Sequence, residues 1–396
     1  MNSPVKRILG IALAVILVAG IVILVFAGRI FGGGGGAGQP TADPQVKVVK
    51  GVIGSEKKPF FNDPEVQKVF RDNGLDVQVT TAGSRQIATS VNLKQYDFAF
   101  PSSAPAAAKI ERESGISTAY SPFYSPMAIA TFEPIVQLLS SAGIAHQDAS
   151  GTWILDMQAY LKAVSAGTRW NQLPGAASVY NSSRSMLISS TDIRSSNSAA
   201  MYLAMASYVA NGDNIVSSQE QENTIIDQMS SLFLQQGFSA SSSEEPFDDY
   251  LSQGVGSKPM VMIYEAQFLG QEMSATGADA ITKSMVLMYP SPTVLSKHTL
   301  IPITPAGDKV GQLLSTDPKL AKLAAQYGFR PADPAVFTAT LKAHKLPVPE
   351  TPVNIVEPPS YETLESMIEA ISTRYDSAAA GTPTPIAPAP TPTPSN

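Results

Sequence analysis

Hydroxyl-bearing side chains recur in loops that directly follow predicted strands. These loops cover residues 54–57, 82–85, 101–104 and 191–198. The candidate ligand-binding residues in them are Ser55, Ser84, Arg85, Ser102, Ser103, Arg194, Ser196, Asn197 and Ser198. Hydroxyl, amide and guanidinium groups all donate hydrogen bonds, so the set suits an acceptor-rich solute such as an oxyanion, a carboxylate or a sugar. The chemistry that it indicates is capture of a ligand by hydrogen bonding.

The loop at 191–198 is the most informative, because it leads into a predicted helix over 197–210. A helix that starts at Ser196 or Asn197 leaves free N–H groups in its first turn, and with Arg194 nearby this arrangement suits an anion. The alternative is that these serines only cap the helix. Tyr264 ends an apolar strand over 259–265. It either lines the same cleft or simply terminates its strand.

The sequence contains no catalytic or metal-binding constellation. It has no cysteine, which removes thiol chemistry, disulfides and thiolate-bound metals. His146, His298 and His344 match no ligand spacing and are interpreted as surface residues. The acidic pairs at 244–245 and 248–249 follow a serine-rich loop and are interpreted as a solvated helix start. We therefore predict a protein without cofactor that is not an enzyme; a surface hydrolase, the alternative, lacks a credible nucleophile and base.

Short apolar strands alternate with amphipathic helices between residues 46 and 375, with no repeat of fixed period. The predicted strands are 46–53, 75–79, 96–100, 127–131, 186–190, 259–265, 285–290 and 298–303. The predicted helices include one that starts at 63–65 and others at 197–210, 219–236, 309–315, 318–327 and 362–375. This order indicates an α/β fold with mostly parallel sheets. In such sheets, ligands lie beyond the carboxyl ends of the strands, where the candidate residues are.

The two ends of the chain differ in composition from its middle. Residues 8–28 are uncharged, apolar and long enough to cross the roughly 30 Å hydrocarbon core as a helix. Because basic residues precede this stretch, residues 1–7 are expected in the cytoplasm and the folded part outside the cell. A cleaved signal peptide is the competing interpretation. Residues 29–45 are glycine-rich and predict a flexible linker, and the Pro/Thr-rich residues 376–396 predict a disordered tail.

The overall charge argues against nucleic acid as a partner. The chain of 396 residues has 27 Lys and Arg against 33 Asp and Glu, a formal net charge of −6. A nucleic-acid-binding protein would show a concentrated basic field instead. The length itself is enough for two or three folded units, at roughly 150 residues each.

Seven segments, in this order, resemble the bacterial extracellular solute-binding proteins of the two-lobed, type 2 periplasmic-binding fold. They are VKGVIGSEKKPFF, TTAGSRQIA, YDFAFPSS, TDIRSSNSAAMYLA, MVMIYEAQFL, VLMYPSPTVLSKHTLIPITPAG and AQYGFRP. The similarity is greatest to the oxyanion- and phosphate-binding branch and to membrane-anchored actinobacterial forms. It implies an α/β domain whose lobes close over a ligand, with a discontinuous first lobe at 46–126 and 287–375 and a second lobe at 127–286.

The resemblance also implies a function. The chain would be a membrane-tethered, extracellular and monomeric receptor that captures a small polar, anionic solute for an ABC permease. Ser196-Asn197-Ser198 stands where phosphate-binding relatives have Ser-Gly-Thr, so the identity of the anion does not carry over. The apolar span replaces the lipid-modified cysteine of many Gram-positive relatives. The alternative is a sensor or envelope adaptor that uses the same fold to bind another protein, which the tethers at both ends favour.

Overall fold

The structure, a computed structural model, describes residues 46–236, 240–274, 280–349 and 354–380. The predicted membrane span at 8–28 and the linker at 29–45 lie outside the described residues. Among the helices that are described, none is both long and apolar enough to cross a bilayer. The first five residues of the predicted tail, 376–380, belong to the last helix, and the rest of that tail lies outside the described part.

The described residues form an α/β fold. Its strands are β1 Lys47–Ile53, β2 Leu75–Thr81, β3 Phe98–Phe100, β4 Tyr120–Phe132, β5 Ala145–Gln147, β6 Trp153–Asp156, β7 Met260–Tyr264, β8 Met285–Ser291, β9 Thr293–Pro302, β10 Arg330–Pro331 and β11 Ile355–Val356. Its first helices are α1 Lys58–Asn62, α2 Pro64–Asp72, α3 Ser84–Thr89, α4 Ala104–Ser114, α5 Glu133–Ser141, α6 Met157–Ser165 and α7 Ala176–Val179. The later ones are α8 Asn197–Ala210, α9 Gln219–Leu234, α10 Glu244–Gln253, α11 Glu265–Met273, α12 Pro305–Thr316, α13 Pro318–Gln326, α14 Pro334–His344 and α15 Tyr361–Ala380.

The strands pair into one mixed sheet in the order β2-β1-β3-β9-β4-β8-β6-β5, with β7 and β10 also on β4 and β11 on β9. The prediction of mostly parallel sheets is therefore wrong. Strands β1, β2 and β3 are parallel, but β4 is antiparallel to β7, β8, β9 and β10. The long strands β4 and β9 are neighbours in the middle of the sheet. The chain leaves the N-terminal end of the sheet along β4 and returns to it along β9, so these two strands are antiparallel.

Local sequence signals explain where the elements begin. In α2, Asp63 accepts hydrogen bonds from the first-turn amides of Glu65 and Val66, and Pro64 occupies the first helical position. The predicted helix 197–210 is confirmed with those bounds. The predicted strand over 186–190 is wrong, because only Ser189 bridges to β7 and no ladder continues from it.

Buried apolar side chains of the described residues form separate clusters. The largest cluster draws on residues between 127 and 371, and two smaller ones lie among residues 49–116 and 300–329 with a few additions. Helix α15 buries Leu364, Met367, Ile368 and Ile371 in the largest cluster. The predicted division assigns α15 to the first lobe, although its apolar face packs with residues of the second; the lobe boundaries themselves stay a prediction.

A buried ion pair connects helix α11 to strands β8 and β10. Glu265, the first residue of α11, accepts hydrogen bonds from Nε and Nη2 of Arg330 in β10 at 2.6 and 2.8 Å, and from the hydroxyl of Tyr289 in β8 at 2.6 Å. Both charged side chains are almost entirely inaccessible to solvent, at 0% for Glu265 and 2% for Arg330. The guanidinium also lies 4.4 Å from the centre of the Phe337 ring. Because water is excluded, each of these two charges is stabilised mainly by the other.

Candidate functional site

A cavity of about 160 Å³ lies beyond the carboxyl ends of β1, β2 and β3. One side, here the N-terminal wall, consists of Gly54, Ser55, Glu56, Thr81, Ala82, Gly83, Ser84, Gln86 and Ser102. The other, the central wall, consists of Ser196, Asn197, Ser241, Ser242, Ser243 and Tyr264. Among the predicted site residues, the structure thus brings Ser55, Ser84, Ser102, Ser196, Asn197 and Tyr264 around one space. Seven of the fifteen lining residues are serines, so the surface is rich in hydroxyls.

Direct hydrogen bonds join the two walls. The hydroxyl oxygens of Ser55 and Ser242 lie 2.7 Å apart, and Nδ2 of Asn197 donates to the Ser102 carbonyl at 3.1 Å. A Cβ atom at Gly83 would overlap the carbonyl oxygen of Ser195, which shows how closely the backbones approach. The two walls are therefore in direct contact beside the cavity, which keeps an opening to solvent.

The central wall presents the start of helix α8. Ser196 stands at the N-cap position, but no side chain caps the first-turn amides. These N–H groups and the helix dipole make this end of α8 attractive to an acceptor group. Asn197 is buried, and its Nδ2 also donates to the Tyr264 hydroxyl at 3.0 Å. Burial, and next the nearby Glu56 charge, raise the pKa of Tyr264 well above its usual range, so this hydroxyl stays protonated.

The two predicted arginines lie outside the lining. Arg85 forms an ion pair with Glu365 of α15 at 2.8 Å and donates from Nη1 to the carbonyl of Arg194 at 2.7 Å. Arg194 pairs with Asp192 at 2.5 Å, and its guanidinium lies 5.1 Å from the Tyr375 ring. Neither reaches the cavity surface, because each is engaged by a carboxylate. Arg85 instead adds a further contact between the walls.

Two predicted serines have structural partners. Ser103 caps α4, where its hydroxyl accepts from the amide of Ala106. The Ser198 hydroxyl lies 2.7 Å from that of Thr191 and 3.1 Å from that of Ser196, behind the lining. Neither side chain lines the cavity: Ser198 supports the lining residue Ser196, and Ser103 supports the start of α4.

A charged cluster that the sequence did not indicate lies beneath the N-terminal wall. Lys57 is fully buried, and its Nζ donates to Oε1 of Glu56 at 2.6 Å, the Ser102 hydroxyl at 2.7 Å and Nδ1 of His298 at 3.0 Å. The Ser102 hydroxyl also donates to Oε1 of Glu56. All three ammonium protons of Lys57 are thus used within the protein. Lys57 stabilises the wall and has no donor left for a ligand.

Burial and charge shift the pKa values in this cluster. Burial alone would raise the pKa of Glu56, but Lys57 and the hydrogen bonds outweigh it and hold this pKa well below its usual range. Burial lowers the pKa of Lys57, and Glu56 offsets part of this effect. Burial, and then repulsion by Lys57, lower the pKa of His298 to about 4. Glu56 is thus an anion and His298 a neutral ring at neutral pH.

His298 is not a surface residue, and that prediction is wrong. Its side chain is inaccessible to solvent in β9, with the rings of Phe100, Phe123, Tyr264 and Phe329 around it. His146 and His344 are exposed as predicted. Nε2 of His298 has no hydrogen-bond partner among the residues that the structure describes. Across the described residues, no group of three or more His, Asp or Glu side chains is arranged to hold a metal ion.

We expect the buried His298 to make the protein less stable as the pH falls. Unfolding raises its pKa from about 4 to 6.5, so the unfolded chain binds a proton that the folded chain excludes, and stability is lost below pH 6.5. Linkage gives a loss of about 2 kcal/mol between pH 7 and pH 5, above the range where Glu56 titrates. Urea unfolding at a series of pH values measures it.

Two histidine variants separate this effect from general acid sensitivity. His298→Gln keeps an acceptor for Lys57 but does not titrate, so its stability should be flat over the same pH window. His146→Gln, at an exposed histidine, should retain the wild-type dependence. A wild-type stability that does not change between pH 7 and pH 5 would show that His298 is not held neutral by the fold.

Several lining residues were not among the predicted ones. Glu56 and Gly83 stand next to predicted residues in the same loops, so their position after a strand was an available signal. The stretch 241–243 belongs to the serine-rich loop before the acidic pairs, and nothing local indicates that its serines face another part of the chain. Ser55 and Ser242 are 187 positions apart, and only the tertiary fold brings them together.

Three solved structures have a similar fold. The sulfate-binding protein SubI from Mycobacterium tuberculosis H37Rv gives a TM-score of 0.51 at 17% identity, over 81% of this chain and 96% of that one. The apo ferric ion-binding protein A of Pasteurella haemolytica gives 0.50 at 11% identity, over 84% and 98%. An ABC transporter structure from Clostridium perfringens ATCC 13124 gives 0.50 at 12% identity, over 83% and 99%.

The chain shares its fold with periplasmic solute-binding proteins. The likeness extends over more than four fifths of this chain and nearly all of each solved structure. No protein-family model matches the sequence, and no curated protein matches it either. At identities of 11–17% the likeness concerns the fold and not the ligand.

Proposed function

We propose that the chain is a membrane-tethered, extracellular solute-binding protein that encloses a small polar, anionic solute between two lobes and delivers it to an ABC permease. The observation that carries the proposal is the hydroxyl-lined cavity between the N-terminal and central walls. It lies where ligands bind in open α/β sheets, beyond the carboxyl ends of the strands. Its volume of about 160 Å³ is below the roughly 300–1,000 Å³ of sites for drug-sized ligands, so the ligand is small.

The donors of the cavity support an acceptor-rich ligand. The uncapped first turn of α8, the serine hydroxyls and the Tyr264 hydroxyl can all donate to one solute. Glu56 is the charged residue of the lining, and the buried Lys57 offsets its charge. Such a lining can hold an anion when several donors converge on it, since a helix start adds its partial positive charge. The Ser102 hydroxyl donates to the Glu56 carboxylate, but a carboxylate whose pKa lies far below its usual range is a weak base, which supports binding without chemistry. The apolar stretch at 8–28 supports the tether.

A ligand screen tests the proposal. The full-length protein in detergent is expected to show a saturable rise in melting temperature with one class among oxyanions, carboxylates, amino acids and sugars, because such a ligand binds only the folded state. At a concentration 100 times Kd the stabilisation is about 2.7 kcal/mol. Titration calorimetry on the same protein gives the affinity. Absence of binding across the panel would contradict the receptor and favour the adaptor alternative.

An exchange at the start of α8 tests the site itself. Asn197→Asp places a negative charge beside the first-turn amides and removes the hydrogen bond from Nδ2 to the Ser102 carbonyl in the other wall. An anionic ligand should therefore bind at least tenfold more weakly. Asn211→Asp, at the C-terminal end of the same helix, adds the same charge away from the cavity and should keep the wild-type affinity. Equal affinities for both variants would show that the anion binds elsewhere.

A further inference from the structure

A second chamber of about 170 Å³ lies on the other side of Glu56. Ser55 and Glu56 line both this chamber and the cavity described above, so the two spaces share one wall. The other residues around it are Pro59, Glu244, Phe247, Asp248, Ala266, Gln267, Gly270, Gln271, Ser274 and Tyr327. We call this space the acidic chamber and the first one the hydroxyl chamber.

The acidic chamber combines carboxylates with aromatic rings. Glu56, Glu244 and Asp248 bring three carboxylates to it, and Phe247 and Tyr327 bring two rings. No lysine, arginine or histidine lines either chamber within the part of the chain that the structure describes. Carboxylates and ring faces both attract a cation, and rings do so most strongly when the cation is an organic one with little hydration.

Glu56 supplies an acceptor that the protein leaves open. Its side chain is only 4% exposed. Oε1 receives the hydrogen bonds of Lys57 and Ser102, whereas Oε2 accepts none from any described residue. This oxygen keeps access to the solvent-filled space, so it can accept a hydrogen bond from a bound molecule. A donor group on a ligand at this shared wall would satisfy it.

Other occupants fit the acidic chamber less well. A bound metal ion would need several carboxylates close together, and the described side chains contain no such group. A free anion would meet three carboxylates and no basic side chain. Part of the chamber is apolar, since the apolar residues Phe247 and Ala266 line it. This mixture of charge and apolar surface suits an amine on a short carbon chain.

We propose, on the basis of the proposed function, that the solute is bipolar, with an acidic group in the hydroxyl chamber and a cationic nitrogen in the acidic chamber. The acidic group accepts from the start of α8 and from the serine hydroxyls. The cationic nitrogen lies in the chamber that Glu56, Glu244 and Asp248 line and is attracted by their charges without contacting all three. The solute class is thus a small amino acid, amino sulfonate or amino phosphate rather than an inorganic anion.

Pairs of probes with and without the amine test this inference by titration calorimetry on the full-length protein. The probes are the ω-amino carboxylates from β-alanine to 6-aminohexanoate, taurine, and phosphoethanolamine, each against the same acid without its amine. At least one aminated probe is expected to bind ten times more tightly than its partner or better. If the partner acids or sulfate and phosphate bind equally well, the proposed receptor stands and the bipolar solute is overturned.

Variants on α10 locate the cationic end. The double variant Glu244→Gln, Asp248→Asn neutralises two exposed carboxylates of the acidic chamber and should weaken the aminated probe about tenfold or more. The amine-free partner should bind as it does to the wild type, or more tightly. Glu245→Gln with Asp249→Asn removes the same charge from the same helix, at residues that line a different cavity, and should leave both affinities unchanged.

Each result separates the two proposals. Equal weakening by both double variants would show a general charge effect and overturn the acidic chamber as the amine site. An aminated probe that binds the Glu244→Gln, Asp248→Asn protein as tightly as the wild type would overturn it as well. Failure of every probe, aminated or not, and of sulfate, phosphate and sugars, would overturn the proposed function and with it the bipolar solute.

Discussion

Glu265→Gln is expected to lower the free energy of unfolding by about 3–5 kcal/mol, the cost of breaking a buried ion pair from one side. The substitution keeps the shape of the side chain but leaves the Arg330 guanidinium, 2% exposed, without its counter-charge. Water cannot replace the lost partner there, and Tyr289 loses a charged acceptor at the same time. Urea unfolding followed by tryptophan fluorescence measures the loss.

Two comparisons show whether burial is the cause. Glu357→Gln breaks the ion pair with Lys297, whose side chains are 64% and 44% exposed, and should cost less than about 1 kcal/mol. The double variant Glu265→Leu, Arg330→Met removes both charges and should be more stable than Glu265→Gln, since no buried charge remains unpaired. A Glu265→Gln protein within 1 kcal/mol of the wild type would mean that Arg330 finds other solvation.

Gly83→Ala is expected to weaken ligand binding roughly 5- to 150-fold. Gly83 has φ −61°, which alanine adopts freely, so the only obstacle is the contact that its Cβ makes with the Ser195 carbonyl oxygen. Overpacking of this kind costs about 1–3 kcal/mol, and the clash exists only while the two walls touch. The clash therefore destabilises the closed arrangement of the two walls, and this cost lowers the affinity for the ligand.

Titration calorimetry with the solute found in the ligand screen measures this effect. Gly256→Ala is the matched control, because a Cβ there has no atom within 4 Å. Small-angle scattering of the ligand-bound proteins adds a second readout, in which Gly83→Ala should stay more expanded than the control. Wild-type affinity in Gly83→Ala would contradict the view that the N-terminal and central walls must meet for binding.

Local sequence patterns predict much of the fold. Capping residues and apolar spacing predict the helices at 197–210 and 318–327 to within a residue, because those signals act within one turn. The direction of strand pairing was not predictable in the same way. A strand buried on both faces reads as a continuous apolar run whether its neighbours are parallel or antiparallel, and β4 is such a strand.

In the candidate site, too, residues placed by local sequence could be predicted, whereas those placed by distant contacts could not. Position after a strand predicted Ser55, Ser84 and Ser102, because parallel strands bring such loops to one edge of a sheet. Arg85 was placed in the site on its chemistry, but its geometry depends on Glu365, which is 280 residues away. A charged side chain pairs with an opposite charge that the fold brings close to it, and the sequence alone does not show which carboxylate lies within reach of Arg85.

Helix α15 has a consequence for how the chain acquires its structure during synthesis. The largest apolar cluster begins at Met127 and is completed by Ile371, and β3 pairs with β9 across some two hundred residues. A nascent chain that has reached residue 300 therefore holds most of this apolar surface without the helix that covers it. Folding of the second half must wait until nearly the whole polypeptide has left the ribosome, and contacts so distant in sequence form slowly. The growing chain thus exposes this apolar surface until its last helix emerges.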